Sequence, residues 1–180
     1  MRASPGRELP AIYLKPGEAY FSGDPTRVVT ILGSCVSVIM YSSARKIGAI
    51  CHAVMPSPDG LKPRKPFPGD TFQYVDSSVV WMVSQFEKAG IRRSDIEVKI
   101  FGGAEIFTGA NTGRSVSVGR KNIETALTTL REQNMKLKAW NVGGNKGRKV
   151  IFYTDTGDVF TKIVKKIDPD AAIPGSGRIG

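Results

Sequence analysis

Two rhythms of hydrophobic and polar positions run through the chain. The first is the short Val- and Ile-rich run bounded by Gly, Pro, Ser or Asp, which reads as a strand. Arg27 to Leu32, Cys35 to Tyr41 and Lys46 to Met55 have this form, and Ser42-Ser43-Ala44-Arg45 joins the last two as a link of hairpin length. Ile96 to Phe101, Leu137 to Val142, Lys149 to Tyr153 and Val159 to Val164 repeat it. Pro10 to Phe21 interrupts the pattern with Gly and Pro and predicts one or two outlying strands. The second rhythm is helical. Val75, Val79, Met82, Val83 and Phe86 fall at i, i+4, i+7, i+8 and i+11, the apolar stripe of a helix over about Thr71 to Lys88, with Asp70 as N-cap and Gly90 as stop. Ile123, Ala126, Leu127 and Leu130, at i, i+3, i+4 and i+7, predict a second helix from about Lys121 to Asn134.

Residues 56 to 70 hold five prolines, a density that neither a helix nor a central strand survives, and predict an exposed loop. Asp155-Thr156-Gly157 reads as a turn, and Gly143-Gly144-Asn145-Lys146-Gly147 as a hairpin with special backbone angles. The order strands, helix, strand, helix, strands lacks the regular alternation of a doubly wound sheet. It predicts the α+β class, an α/β sandwich of mostly antiparallel sheet with two packed helices. One domain over residues 1–167 and a loose tail over residues 168–180 are expected, without internal repeats. Trp81 and Trp140 are expected in the core.

A length of 180 residues suits one domain able to bury a core, and 41% hydrophobic with 23% charged residues excludes a disordered chain. The net charge of +10 favours an anionic partner: nucleic acid, an acidic protein surface or anionic lipid. Positive charge gathers late, with Lys136, Lys138, Lys146, Arg148, Lys149, Lys162, Lys165 and Lys166 against Asp155 and Asp158. Such a patch steers the protein toward an acidic surface or is simply a solvated face. A nucleic-acid reading rests on this charge alone, since no recognition-helix or RNP-type motif accompanies it. Gly143 to Arg148 lacks the Gly-Lys-Ser/Thr ending and precedes a strand, so it is not a phosphate loop. No run approaches the roughly 18 apolar residues that cross a bilayer, and no apolar signal core follows Met1. A cytoplasmic protein without membrane insertion is expected.

The candidate chemistry is concentrated. Cys35 and Cys51 fit free thiols in a reduced compartment, and His52, the single histidine, must carry any imidazole chemistry. Gly33-Ser34-Cys35 lies between two strand candidates. A sharp turn at Gly33 would place Cys35 at a strand start, with backbone N–H groups near Ser34 and Cys35 able to hold an oxyanion. His52 sits on the neighbouring strand of the hairpin, and a Cys–His pair is the minimum for thiol nucleophilic catalysis. The imidazole is expected to lower the thiol below its free value of about 8.5 and to protonate the leaving group. Thr30, on the entering strand, offers a hydroxyl to orient His52 or touch substrate, a weaker third member than a carboxylate. Phe101-Gly102-Gly103 either lets backbone approach the site closely or only ends a strand. From spacing alone, core positions are the favoured account of Cys35 and His52 over a catalytic pair, and core packing is the role expected of Cys51, which points away from His52. The two thiols and one imidazole are too dispersed for a metal site.

Thr30-Ile31-Leu32-Gly33-Ser34-Cys35-Val36-Ser37-Val38, followed by Ile47-Gly48-Ala49-Ile50-Cys51-His52-Ala53-Val54-Met55-Pro56, closely resembles the chemoreceptor glutamine deamidase family CheD. Lys99-Ile100-Phe101-Gly102-Gly103-Ala104, Val118-Gly119-Arg120-Lys121-Asn122-Ile123 and Gly143-Gly144-Asn145-Lys146-Gly147-Arg148-Lys149 resemble it in the same order. The resemblance implies hydrolysis of glutamine side-chain amides on the cytoplasmic helices of chemoreceptors, releasing ammonia, with receptor methyl esters as a further substrate of family members. It implies a Cys, a His and a Thr: Cys35, His52 and Thr30, although some members carry the Thr one position earlier, where this chain has Val29. Gly33, Ser34, Phe101, Gly102 and Gly103 would border the oxyanion and substrate. No cofactor or metal is implied. The implied fold is an α/β sandwich related to the cytotoxic necrotizing factor toxins. Some relatives bind and stimulate the chemotaxis phosphatase CheC, so a non-catalytic regulator of such a phosphatase is the alternative. A thiol protease or acyltransferase would share the same nucleophile.

Overall fold

The computed structural model describes residues 9–57, 72–105 and 117–164. The strand rhythm resolves into β1 (Ala11–Tyr13), β2 (Ala19–Ser22), β3 (Arg27–Leu32), β4 (Val36–Ser42), β5 (Ile47–Cys51), β6 (Glu97–Gly102), β7 (Leu137–Val142), β8 (Gly147–Tyr153) and β9 (Val159–Val164). The helices are α1 (Val75–Lys88) and α2 (Val118–Glu132), and one 3-10 turn at Arg93–Asp95 precedes β6. The strands form two sheets, in the orders β1-β3-β8-β9 and β2-β5-β4-β6-β7. Pairing is antiparallel except for β1 with β3 and β6 with β7. The α+β sandwich of the sequence reading is therefore three layers deep.

The five-stranded sheet is the middle layer, and this explains the composition of its central strand. All of β4 is buried, because both of its faces are covered. Val36, Val38 and Met40 face the helices, where they meet Val79, Met82, Phe86, Ala126 and Leu130. Ile39 and Tyr41 face the four-stranded sheet, among Leu14, Val28, Leu32, Val150 and Phe152. Alternate residues of one strand thus hold two separate cores together. The stripe of α1 is buried as its spacing requires, while Leu127 of α2 remains 39% exposed.

Several local expectations change. α1 begins at Val75 behind Tyr74, which makes no side-chain cap; Asp70, Thr71 and the prolines Pro58 to Pro68 lie outside the described residues. α2 begins at Val118, earlier than its apolar spacing indicated, because the Ser117 hydroxyl accepts the Arg120 N–H and caps it. Gly143 and Gly144 have positive φ (75° and 73°), yet they form no hairpin. They carry the chain from β7 in one sheet to β8 in the other, and the buried Arg148 guanidinium holds this crossover by donating to the carbonyls of Asn141 and Gly143. Trp140 is 66% exposed rather than in the core, because β7 is an edge strand. Trp81 packs against the helix-side core, half-buried. The tail at residues 168–180 lies outside the described residues.

Candidate functional site

The Lys46 to Met55 run does not stay in one regular ladder. β5 ends at Cys51, and the His52 N–H turns to the Glu18 carbonyl (2.9 Å) while its carbonyl accepts from Gly17 (2.8 Å). Ala53 then pairs with Val36 through two hydrogen bonds of 2.9 Å. This bridge keeps the register of the β4–β5 ladder, in which Ile39 opposes Ile50. Counted along that register, Cys35 opposes Val54 and Ser37 opposes His52. Cys35 and His52 are therefore diagonal neighbours on one face of the sheet, the face turned toward the second sheet. Such neighbours lie about 7–8 Å apart at Cα, closer at their side chains. Cys51 projects to the helix side instead, as expected of a core thiol.

Thr30 completes the arrangement from the opposite sheet. Its hydroxyl donates to the Leu14 carbonyl (2.8 Å) and lies 2.7 Å from His52 Nδ1. The hydroxyl has one hydrogen, and Leu14 takes it. The oxygen can then only accept, so His52 carries its proton on Nδ1 and leaves Nε2 as a bare lone pair. Nε2 is buried and has no hydrogen-bond partner among the described residues. The neighbouring Val29 is half-exposed on the outer face of β3, where it cannot reach the imidazole.

The loop at Gly33-Ser34-Cys35 is half-buried, whereas His52 is only 2% exposed. Two bonds brace this loop from the end of β6: Gly103 N–H to the Cys35 carbonyl (2.7 Å) and Ala104 N–H to the Gly33 carbonyl (2.8 Å). Gly102 permits this approach. Its φ is +102°, and a Cβ there would sit 2.2 Å from the Cys35 carbonyl oxygen. Phe101-Gly102-Gly103 both ends β6 and brings its backbone against the Cys35 loop, while the Phe101 side chain belongs to the inter-sheet core. Neither the Ser34 nor the Cys35 N–H donates to a backbone carbonyl among the described residues.

Burial sets the protonation of the resting site. Desolvation pushes the Cys35 thiol up, against a smaller opposite pull from its own backbone N–H. Desolvation likewise pushes His52 down, against the hydrogen-bond link to Leu14 and the field of Glu18. The expectation of a thiol lowered by the imidazole is thus not met. A buried pair avoids two charges in a poorly solvated place, so it rests as neutral thiol and neutral imidazole.

One feature escaped the sequence reading. Asn122 of α2 is fully buried, and its Nδ2 donates to both the Ser34 carbonyl (3.0 Å) and the Val54 carbonyl (2.9 Å). Its signal was present: Asn122 occupies the buried stripe with Ala126 and Thr129, where a polar side chain needs partners.

A half-buried thiol and a tautomer-locked imidazole, set between two sheets and covered by helices on one side, are the equipment of thiol-dependent acyl chemistry. The family model described as CheD chemotactic sensory transduction matches residues 58–163. A Geobacter sulfurreducens protein named probable chemoreceptor glutamine deamidase CheD 2 is 43% identical over 164 residues, covering 91% of this chain and 96% of its own. Its namesake in Maridesulfovibrio salexigens, probable chemoreceptor glutamine deamidase CheD, is 35% identical, covering 88% and 95%. The chain belongs to the CheD family. Among solved structures, the Bacillus licheniformis hypothetical protein YfiH overlaps partially, at a TM-score of 0.43 and 12% identity over 69% of this chain and 50% of its own. No helix among the described residues is long and apolar enough to cross a membrane.

Proposed function

We propose that this protein deamidates particular glutamine side chains of chemoreceptor cytoplasmic domains, with Cys35 as nucleophile, His52 as proton carrier and Thr30 as the anchor of His52. The observation that carries this reading is the bare His52 Nε2, fixed by the Leu14–Thr30–Nδ1 chain on the face shared with Cys35. A buried acceptor without a partner is costly to keep, and a general base requires one.

As the Cys35 sulfur attacks the amide carbon, His52 Nε2 takes the thiol proton. The carbonyl becomes an oxyanion held by the backbone N–H groups near Ser34 and Cys35. His52 returns the proton to the nitrogen, the C–N bond breaks, and ammonia leaves a thioester on Cys35. Water gives a proton to His52 and adds to the thioester. The C–S bond then breaks, the thiol recovers its proton, and glutamate remains. A primary amide has a poor leaving group, so the thiol needs this returned proton. The relatives' names, which specify chemoreceptor glutamine deamidase, support the same substrate.

The test is the purified protein with a chemoreceptor cytoplasmic fragment, following ammonia release and the mass of each glutamine peptide. Site-specific conversion of glutamine to glutamate, abolished by Cys35→Ala and by His52→Ala, is the expected result. Folded wild-type protein that converts no glutamine on several receptors would overturn it, leaving a partner-binding regulator.

A further inference from the structure

We infer that Asn122 is a positioning residue for the oxyanion site, acting through the Ser34–Cys35 peptide; this rests on the deamidase reading. The geometry begins with sidedness. α2 packs on the helix side of the five-stranded sheet, whereas the Cys35 side chain lies on the other side, against the inter-sheet core. Asn122 reaches from α2 and holds the Ser34 carbonyl at 3.0 Å. The Ser34–Cys35 peptide is trans, so its C=O and N–H point in opposite directions. Drawing the carbonyl toward α2 therefore turns the Cys35 N–H away from the helices, to the side where the thiol and His52 stand. The Cys35 N–H donates to no backbone carbonyl among the described residues and pulls on its own sulfur instead.

The second bond has a complementary role. Val54 opposes Cys35 in register, and the ladder has no further rung beyond the Val36–Ala53 bridge. The amide of Asn122 supplies that rung by holding the Val54 carbonyl at 2.9 Å. One NH2 group thus ties the strand that bears the nucleophile to the strand that bears His52. The amide orientation is settled by the same bonds, because the reverse would set its oxygen against two carbonyls. No other polar side chain contacts the Ser34 carbonyl among the described residues.

The experiment compares wild type with Asn122→Ala in two readouts. One is the pH dependence of Cys35 alkylation by iodoacetamide, read from the Cys35 peptide by mass. The other is kcat and KM for a chemoreceptor cytoplasmic fragment. Without the clamp, alkylation shifts to higher pH, roughly threefold slower at a fixed pH below the midpoint, and kcat falls about 100-fold, the loss typical of one oxyanion donor, with KM changed less than about twofold. A mere packing role would lower the melting temperature and leave both readouts of the folded protein unchanged, and that result overturns the inference. If Asn122→Ala does not fold, Asn122→Ser, whose hydroxyl can donate to one carbonyl, is read the same way: partial shifts support the inference and wild-type values overturn it. The alkylation profile needs no substrate. Absence of deamidation in wild type would sink the proposed function, while the thiol titration would still decide the role of Asn122.

Discussion

Thr30→Val removes one oxygen and almost no volume, so it isolates what the hydroxyl does. That oxygen bonds the Leu14 carbonyl at 2.8 Å and His52 Nδ1 at 2.7 Å, and Thr30, Leu14 and His52 are all buried. The substitution leaves two buried polar groups unpaired, at roughly 1–3 kcal/mol each, or about 2–6 kcal/mol in total. For a protein of this size the melting temperature should fall roughly 5–15 °C. Catalysis should suffer separately. Once Nδ1–H has no acceptor, the proton is free to occupy Nε2, where the ring cannot serve as base. Losing an orienting bond of about 1.4–2.8 kcal/mol corresponds to a rate lower by about 10- to 100-fold. Thr30→Ser keeps the hydroxyl and should stay near wild type. Because His52 is the only histidine, its ring nitrogens are the only imidazole signals in a 15N spectrum, and the tautomer can be read directly. Wild type should show Nδ1–H, and Thr30→Val should lose that preference. A wild-type spectrum with the proton on Nε2, or a Thr30→Val protein with full rate and unchanged tautomer, would refute the reasoning.

Other outcomes follow from the same structure. Gly102→Ala should cost both stability and activity: it sets a Cβ 2.2 Å from the Cys35 carbonyl oxygen at φ +102°, and the strain and clash together should exceed about 3 kcal/mol; a melting curve and rate like wild type would contradict the packing described. Burial lowers His52, so its titration midpoint should lie below 6.5; the stability it contributes is full above 6.5 and is lost as pH falls through the folded midpoint, and the rate should decline over the same acid range. A 15N titration midpoint above 6.5 would reverse this account. Cys51 is held protonated to about 11 in the fold against 9.0 when unfolded, so stability falls as pH rises between these values, by roughly 3 kcal/mol. Cys51→Ala should flatten that alkaline loss relative to wild type while sparing deamidation, because this thiol faces the helix-side core; equal alkaline slopes would show that Cys51 is not the titrating group.

Much of the fold was legible along the chain because its signals are local. The stripe of α1 needs only the period of a helix, and Arg27–Leu32 and Leu137–Val142 needed only their composition and flanking turns. The errors occurred where distant parts decide. The glycines before β8 have the backbone angles of a turn, but whether a turn closes a hairpin or crosses to another sheet depends on which strand the next segment meets. Trp140 resembles a core residue until its strand is found at an edge. Ser117 caps α2 earlier than the apolar stripe begins, since a cap acts on backbone groups that hydrophobic spacing does not register.

The site divides in the same way. The sequence alone determined the chemical groups: one imidazole, a thiol beside a glycine turn, and a hairpin short enough to bring their strands together. Tertiary structure decided how those groups behave. It selected Thr30 over Val29, because neighbouring strand residues face opposite ways and only the docking of β3 and its sheet on the five-stranded sheet defines which face is inward. It set the His52 proton through Leu14, a backbone carbonyl that carries no sequence signal. It brought Asn122 from a helix far along the chain to the loop that holds Cys35. It also raised the thiol rather than lowering it, because desolvation depends on the layers stacked around a group and not on its neighbours in the chain.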